Sequence, residues 1–385
     1  MFDNFIKFVR ELYQTSSFIP LHEPSFSGNE KKYLSEVIDS TYVSSVGESI
    51  VEFESKIAQY VGIEFAVAVV NCTSALHLSL LLSDVTEGTE VITQSLNFVA
   101  GSNAISYCKA KPVFIDISKR SLSMSPESLQ SFLDDNCEVR DDGLCWNKIT
   151  GNRVSACLPM NTYGFVSDAV RLNKLCAQFN IPLVEDSAES LGSFYKNKHT
   201  GSESSLSTIS FNGNKVITTG GGGVILTNNK NLYKKAKHIS TTAKLSHKWD
   251  FNHNEIGYNY RMPNLNAALG LAQLENLEPF LHSKRLIAEA YQSWGKSNGF
   301  SFVKEEDHTQ ANYWLNCILL DNLSDRDEFL EYTNQNKVMT RPSWIPMHRL
   351  EIYKDCLALD MKNTDWIHDR LVNVPSSPIR YEGNN

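Results

Sequence analysis

No Cys-x-x-Cys pair occurs in the 385 residues, and none of the eight cysteines stands at zinc-ligand spacing with a histidine. A zinc ribbon or finger is thereby excluded, and no metal site is expected. Eight thiols scattered through so long a chain do not make a disulfide framework, so they read as reduced thiols of a cytoplasmic protein. No apolar run approaches the roughly 20 residues that span a bilayer. No signal-peptide pattern opens the chain, so a soluble protein is expected. Basic excess is also missing: 36 Lys and Arg against 44 Asp and Glu leave a net charge of −8. Such a chain is a poor general binder of nucleic acid or anionic membrane. It can still hold a phosphate locally, because helix N-termini present free N–H groups whatever the net charge. Internal repeats and low-complexity tracts are absent.

What is present is a large apolar fraction, 42%, enough for a sizeable core. Phe2, Phe5, Ile6, Val9, Leu12 and Tyr13 recur at helical spacing, predicting an amphipathic helix docked on protein. Short apolar runs follow at 66–70, 91–94, 112–117, 156–160, 182–187 and 207–212. Several are apolar on successive residues, as in parallel strands covered on both faces. Helical patterns lie between them at 74–82, 98–107 and 167–179, the last with Ser167 as its N-cap. Another helix is predicted at 125–135, where Pro126 suits the first turn. The polar stretch 139–152 reads as an insertion. This alternation predicts an α/β fold with a mostly parallel sheet between helices. One long helix is expected over 263–294, then strand-like pieces at 301–303 and 314–320 and a helix near 325–336. The chain thus divides into a large unit, 1–255, with an N-terminal helical arm. The remainder, 256–385, is a linking helix and a smaller α/β unit.

Three stretches carry chemistry. An apolar strand ends in Glu185 and Asp186, and ligands of open α/β sheets bind beyond such ends. Asp186 there suits a cationic ring nitrogen, or equally a helix cap. A strand rich in hydroxyls runs through Ser210 into Asn212, Gly213, Asn214 and Lys215, and Gly220 to Gly223 follow. A desolvated lysine becomes an amine nucleophile toward carbonyls. The competing reading is a loop lysine beside a glycine hinge. Thr73 and Ser74 stand where a strand gives way to a helix, as a phosphate site or a plain N-cap. Together the three supply what pyridoxal 5'-phosphate requires: a phosphate cradle, an acid for the pyridine nitrogen and a lysine for the imine.

With VEDSAESLG, SFNGNK followed by TTGGGG, and GYNYRMPNLNAALGLAQL, nearly the whole chain resembles the DegT/StrS sugar aminotransferases among fold-type I pyridoxal-phosphate enzymes. The resemblance implies Lys215 as Schiff-base lysine and proton carrier, and Asp186 as partner of the pyridinium. It places Glu189 near the phenolic oxygen, where many members have glutamine. Thr73, Ser74 and Ser210 are implied at the phosphate, and Phe98 against the ring, although Phe98 also reads as core. Asn259 is implied to reach the phosphate of a neighbouring subunit, hence a homodimer. Cys72 departs from the small residue commoner at its position.

The pieces 19-IPLHEPSFSGNEKKYL, 42-YVSSVGESIVEFE, 340-TRPSWIPMHRLEIYK and 372-VNVPSS resemble a narrower subgroup. That subgroup aminates UDP-linked 4-keto-6-deoxy-N-acetylhexosamines for bacillosamine and legionaminic acid. The expected reaction takes the amine from L-glutamate, through pyridoxamine phosphate, to C4 of the sugar. Arg341 and His348 are candidate substrate contacts, or a turn arginine and a surface histidine. Three alternatives stand beside this reading: a GDP-4-keto-6-deoxymannose aminotransferase, a sugar dehydratase (against which Lys215 argues), and a non-catalytic regulator or binding protein.

Overall fold

The computed structural model describes residues 2–379. Seven strands make the central sheet, in the order Phe65–Val69, Gly223–Thr227, Leu206–Ser210, Val184–Asp186, Val154–Leu158, Glu90–Gln94, Lys111–Ile115. Parallel bridges from Cys157 to Leu183 and from Met160 to Asp186 join its two halves. All six expected strands are there. Gly223–Thr227 is a seventh that the sequence reading passes over, because its first residue belongs to the glycine run. It pairs antiparallel with both neighbours, and it is what keeps the sheet from being wholly parallel. Every residue of Glu90–Gln94, Val154–Leu158 and Leu206–Ser210 is buried, polar side chains included, as in strands covered on both faces.

Helix starts differ by a residue or two from expectation, because the capping side chain decides them. Asp168 and not Ser167 caps Ala169–Gln178, accepting from the Arg171 N–H at 3.0 Å. Ser125 caps Pro126–Asn136, with proline in its first turn as expected. The polar stretch after it folds as a hairpin, Cys137–Val139 with Cys145–Asn147. The long linking helix is two helices, Asn264–Leu274 and Leu277–Asn298. Between them Glu275 is held by Asn29 at 2.7 Å and Tyr33 at 2.5 Å, while the Asn276 amide turns back on the Ala272 carbonyl at 3.3 Å. Apolar periodicity alone runs straight through that break.

A second sheet, all antiparallel, orders Ser301–Phe302, Asn316–Leu319, Leu371–Val374 and Arg341–Pro342. The helix Phe2–Tyr13 packs on this side: Phe5 and Val9 are buried, and the Phe5 ring lies 4.9 Å from Phe329 and 5.4 Å from Trp294. Residues 344–361 then leave the small sheet and run along the edge of the large one. The Phe114 N–H donates to the Leu357 carbonyl at 2.8 Å, and the Leu359 N–H to the Phe114 carbonyl at 3.2 Å. Asp116 accepts from the N–H groups of Asn363 and Thr364, both at 2.8 Å. This strap covers an edge strand that would otherwise offer free N–H and C=O groups. No helix among the described residues is long and apolar enough to cross a membrane.

His199 gives a pH test of the core. Its Nδ1 donates to the Thr200 carbonyl at 2.5 Å and its Nε2 accepts from the Gly192 N–H at 2.8 Å, so both nitrogens are used by the neutral ring. Burial accordingly holds its pKa down to about 4. Below about pH 6.5 the unfolded chain takes up a proton that the folded one refuses, so this residue's contribution falls as pH drops toward 4. The difference in unfolding free energy between wild type and His199→Phe should shrink by about 2 kcal/mol from pH 7 to pH 5 in urea titrations.

Candidate active site

The parallel strands Val184–Asp186 and Leu206–Ser210 lie side by side with Asp186 opposite Thr208. Both therefore end at the same edge of the sheet. After Ser210 the chain turns, with the Lys215 N–H donating to the Asn212 carbonyl at 3.0 Å, and then returns as Gly223–Thr227. The turn sends Lys215 back over the strand ends. Its ammonium donates to Glu189 Oε1 at 3.0 Å and lies 3.8 Å from the centre of the Trp314 ring. The lysine side chain is 13% exposed and the glutamate's 2%. The other Glu189 oxygen accepts from the Tyr163 N–H at 2.8 Å.

Burial dominates the electrostatics. It raises the Asp186 carboxyl to about 6, against the Ala188 N–H and the charge of Lys215, which favour the anion. It raises Glu189 to about 7, again against Lys215 and the Tyr163 N–H. Two acids and one lysine thus share a site where charge is poorly solvated. Such perturbed groups mark functional sites more often than structural ones.

The glycine run approaches protein backbone. A Cβ on Gly223 would stand 2.6 Å from Asn71 C and 2.6 Å from Cys72 N. Gly223 is also in register with Ser210. The absent side chain therefore lets the start of the helix Cys72–Leu82 sit directly against the strand that carries Ser210. The helix begins two residues before the expected Ser74, because Asn71 is its cap and accepts from the Ser74 N–H at 2.8 Å. Thr73 and Ser74 lie in its first turn, where free N–H groups are concentrated. Cys72 is buried, its thiol pushed up by desolvation and then by the Asp186 charge, and it faces Thr208. Gly223→Ala should destabilise the chain by about 1–3 kcal/mol in urea unfolding, since backbone must move to make room.

Phe98 is not core: it caps Val99–Tyr107 and is half exposed. Its ring is 6.0 Å from Trp344, which lies 4.6 Å from Tyr163. His348 is not a surface histidine. Its Nδ1 is 2.6 Å from Ser95 Oγ and its Nε2 3.6 Å from Asp365, which locks the strap onto the loop just before Phe98. Arg341 is exposed on the small sheet, and its guanidinium donates to Asn334 Oδ1 and to the Thr340 carbonyl. No described bond ties it to Lys215 or Asp186. Asn259 is exposed on a segment bridged to Thr241, likewise apart from the lysine.

Trp314, Tyr163, Trp344 and Asn312 escape sequence reading. Trp314 reaches the lysine loop across about a hundred residues, its indole N–H donating to the Asn214 carbonyl at 2.6 Å. Asn312 is fully buried and bonds the Glu189 and Leu191 carbonyls. Tyr163 carried one signal, Gly164 beside it. The pair turns with φ of 57° and 92°, and Gly164 has no room for a Cβ beside Asn312.

These residues fit pyridoxal 5'-phosphate. A buried acid, a shielded lysine and a helix start meet beside an exposed aromatic ring. The buried Thr208 hydroxyl makes no protein hydrogen bond. The family model described as the DegT/DnrJ/EryC1/StrS aminotransferase family matches residues 24–380. GDP-perosamine synthase of Escherichia coli O157:H7 is 37% identical over 94% of each chain, and that of Vibrio cholerae 36% over 94% of each. Among solved structures, the aminotransferase TlmJ of Streptoalloteichus hindustanus superposes with a TM-score of 0.84, at 24% identity over 93% of each chain. Helicobacter pylori PseC, an aminotransferase of pseudoaminic acid biosynthesis, superposes with a TM-score of 0.83, at 23% identity over 93% of each chain. The chain belongs to the DegT/DnrJ/EryC1/StrS family of sugar aminotransferases, and its cofactor is pyridoxal 5'-phosphate, with pyridoxamine 5'-phosphate as the aminated form.

Proposed function

We propose that this chain moves an amino group from L-glutamate to C4 of a nucleotide-linked 4-keto-6-deoxyhexose. The carrying observation is the buried Lys215–Glu189 contact at the strand ends that present Asp186. The nucleotide we favour is GDP, with GDP-4-keto-6-deoxymannose as the sugar. Three relatives named GDP-perosamine synthase, 32% to 37% identical over 93% to 94% of this chain, support it. The expectation of a UDP-linked sugar bound for bacillosamine or legionaminic acid gains no such support and becomes the second reading. One observation favours it still: two of the pieces on which it rests adjoin the site, His22 near Lys215 and Trp344 beside Phe98. Purified enzyme offered glutamate and each keto sugar in turn, with products weighed by mass spectrometry, separates the two. Amination of neither removes the proposal.

When bound, the cofactor supplies an electron sink and an amine carrier. Asp186 would hold the ring nitrogen cationic, and Glu189 would face the phenolic oxygen. Thr73, Ser74, Ser210 and the helix N-terminus would hold the phosphate. Phe98 would cover the ring. Lys215 would bind the cofactor covalently at rest, and its freed amine would serve as the proton carrier. Tyr163, Asn312 and Trp314 fix Glu189 and Lys215 relative to each other. His348 acts by positioning the strap, and Arg341 is withdrawn as a substrate contact. The chain is read as units 1–255 and 256–385, apart from the strap that returns to the large sheet.

A second copy completes the site in this reading. Asn259 is exposed, and Tyr42, Val46, Val51 and Ile256 are large apolar residues more than 60% exposed. Light scattering should give twice the chain mass in solution. Asn259→Ala should weaken cofactor retention about tenfold while leaving that mass unchanged. A monomer that retains full activity would defeat this part of the reading.

A further inference from the structure

We propose that His22, carried on the N-terminal arm, is a positioning residue that receives the free amine of Lys215. The inference rests on reading Lys215 as the cofactor lysine and proton carrier.

The arm is fixed on both sides of residue 22. Ile19 exchanges main-chain bonds with Lys337 and Met339, both at 2.9 Å. The Leu21 carbonyl accepts from the Ser376 N–H at 2.7 Å, and the Glu23 N–H donates to Ser377 Oγ at 2.9 Å. The Ser25 carbonyl accepts from Gln273 at 2.9 Å. This anchoring holds the imidazole inward, where both ring nitrogens are closed to solvent; the Asn214 carbonyl approaches one of them and the other has no hydrogen-bond partner. The charges that reach it are Lys284 and Lys215, and the Asn214 carbonyl faces it. The carboxylate that holds the Lys215 ammonium is Glu189, at 3.0 Å. Lys284 is fully buried and donates to the Trp314 carbonyl at 3.1 Å and the Ser376 carbonyl at 2.6 Å. Trp314 in turn has its ring against Lys215 and its indole N–H on Asn214. The arm, the lysine loop, the linking helix and the small unit thus close one cluster around this imidazole.

Native structures seldom leave a buried ring nitrogen without a partner, and each such group calls for an explanation. Burial and two nearby amines keep His22 neutral, so one nitrogen is an acceptor and the other a donor. Lys215 is bound covalently for part of the cycle and free for the rest. A free amine held only by Glu189 stays an ammonium, because the carboxylate favours the charged form. It must lose a proton before it attacks a carbonyl again. A neutral imidazole nitrogen accepts an N–H bond from the uncharged amine without favouring that charge. The ammonium gives its proton to Glu189, whose carboxyl burial raises to about 7, and the uncharged amine then turns an N–H to His22; no proton passes to the imidazole.

The test compares wild type, His22→Phe and His22→Gln in the full chain. Borohydride reduction after adding pyridoxal 5'-phosphate, followed by peptide mass spectrometry, first checks attachment at Lys215. No attachment in wild type would remove the reading of Lys215 itself, apart from any effect at His22. The cofactor-free proteins are then reductively methylated with formaldehyde and cyanoborohydride. Labelling of Lys215 is timed against the exposed Lys32 and Lys230. His22→Phe should label Lys215 about tenfold more slowly than wild type, one lost hydrogen bond's worth, and His22→Gln should recover most of the rate. Equal rates in wild type and His22→Phe overturn the proposal, as does a glutamine variant as slow as phenylalanine. Should His22→Phe not fold, His22→Ala with added imidazole replaces it: restored labelling supports the role, and no restoration refutes it.

Discussion

Lys215→Ala is expected to yield a folded, colourless protein that forms no amino sugar. Among the described residues only Lys215 offers an amine in contact with Glu189, and its 13% exposure shields it from solvent. Removing it takes away both the covalent anchor and the group that carries the proton. Positioned proton transfer alone contributes about 10²–10⁴-fold, so turnover should fall by at least about 10³-fold. The visible absorbance of the lysine-bound cofactor should vanish with it, and borohydride should trap nothing on the peptide. Folding should survive, and the empty chain should not be weakened. The alanine does leave Glu189 buried without its cation, but that carboxyl already lies near 7 and takes up a proton instead. Lys215→Arg separates charge from chemistry: it keeps the ion pair and should remain equally inactive. Amino-sugar formation retained by either variant would remove Lys215 from the chemistry, whereas a wild type that forms none would leave the regulator or binding-protein reading.

Asp186→Asn should show the opposite signs on stability and activity. Burial raises Asp186 from 3.8 to about 6 in the folded chain. A folded acid with a raised pKa binds its proton more tightly than the unfolded chain does. Its contribution to stability is therefore present below about pH 4 and is lost as pH rises through 6. At pH 7 the charged form burdens the empty fold by about 2–3 kcal/mol. Asparagine removes that burden, so the cofactor-free variant should unfold at higher urea than wild type at pH 7, and the gap should close toward pH 4. With cofactor present, the fixed charge opposite the ring nitrogen is gone, and transfer should slow by about 10²–10³-fold. Cofactor affinity supplies a second reading. In wild type it should weaken as pH falls below 6, because Asp186 must be ionised to pair with the ring. The asparagine variant should lose that dependence. Equilibrium dialysis at pH 5 and pH 7.5 checks it. A variant that is no more stable and no slower would show Asp186 to be an ordinary strand-end acid.

Individual residues show how far the chain could be read before folding. The six parallel strands were legible because several are apolar on successive residues, the mark of a strand covered on both faces, and helical patterns separate them. Gly223–Thr227 was not, because glycine hides strand propensity while serving a contact with Asn71 and Cys72 that exists only in three dimensions. Helix starts at residues 72 and 169 shifted because one side-chain oxygen, on Asn71 or Asp168, decides which N–H is capped. Periodicity ran through Glu275 because the ties that interrupt the linking helix come from Asn29 and Tyr33, some 240 positions away. In the small unit Ser301–Phe302 and Asn316–Leu319 were expected, Arg341–Pro342 and Leu371–Val374 were not, and nothing local announced that residues 344–361 return to the large sheet.

The catalytic set divides in the same way. Lys215 and Asp186 were named from local patterns with chemical meaning, a lysine before a glycine run and an acid at a strand end, and Glu189 from the family resemblance. Those patterns, with the family resemblance, determined the cofactor and the kind of reaction. What surrounds the lysine was decided by the tertiary structure alone. Trp314 against its amine, Tyr163 on the acid, Trp344 beside Phe98 and His22 on the N-terminal arm all come from distant parts of the chain. The same holds for the tie of His348 to Ser95, some 250 positions away, which fixes the strap beside the loop that carries Phe98. The physical reason is one of range. Strand and helix patterns, caps and glycine runs are written within a few residues, whereas burial, orphaned hydrogen bonds and aromatic contacts depend on which distant segments share a space.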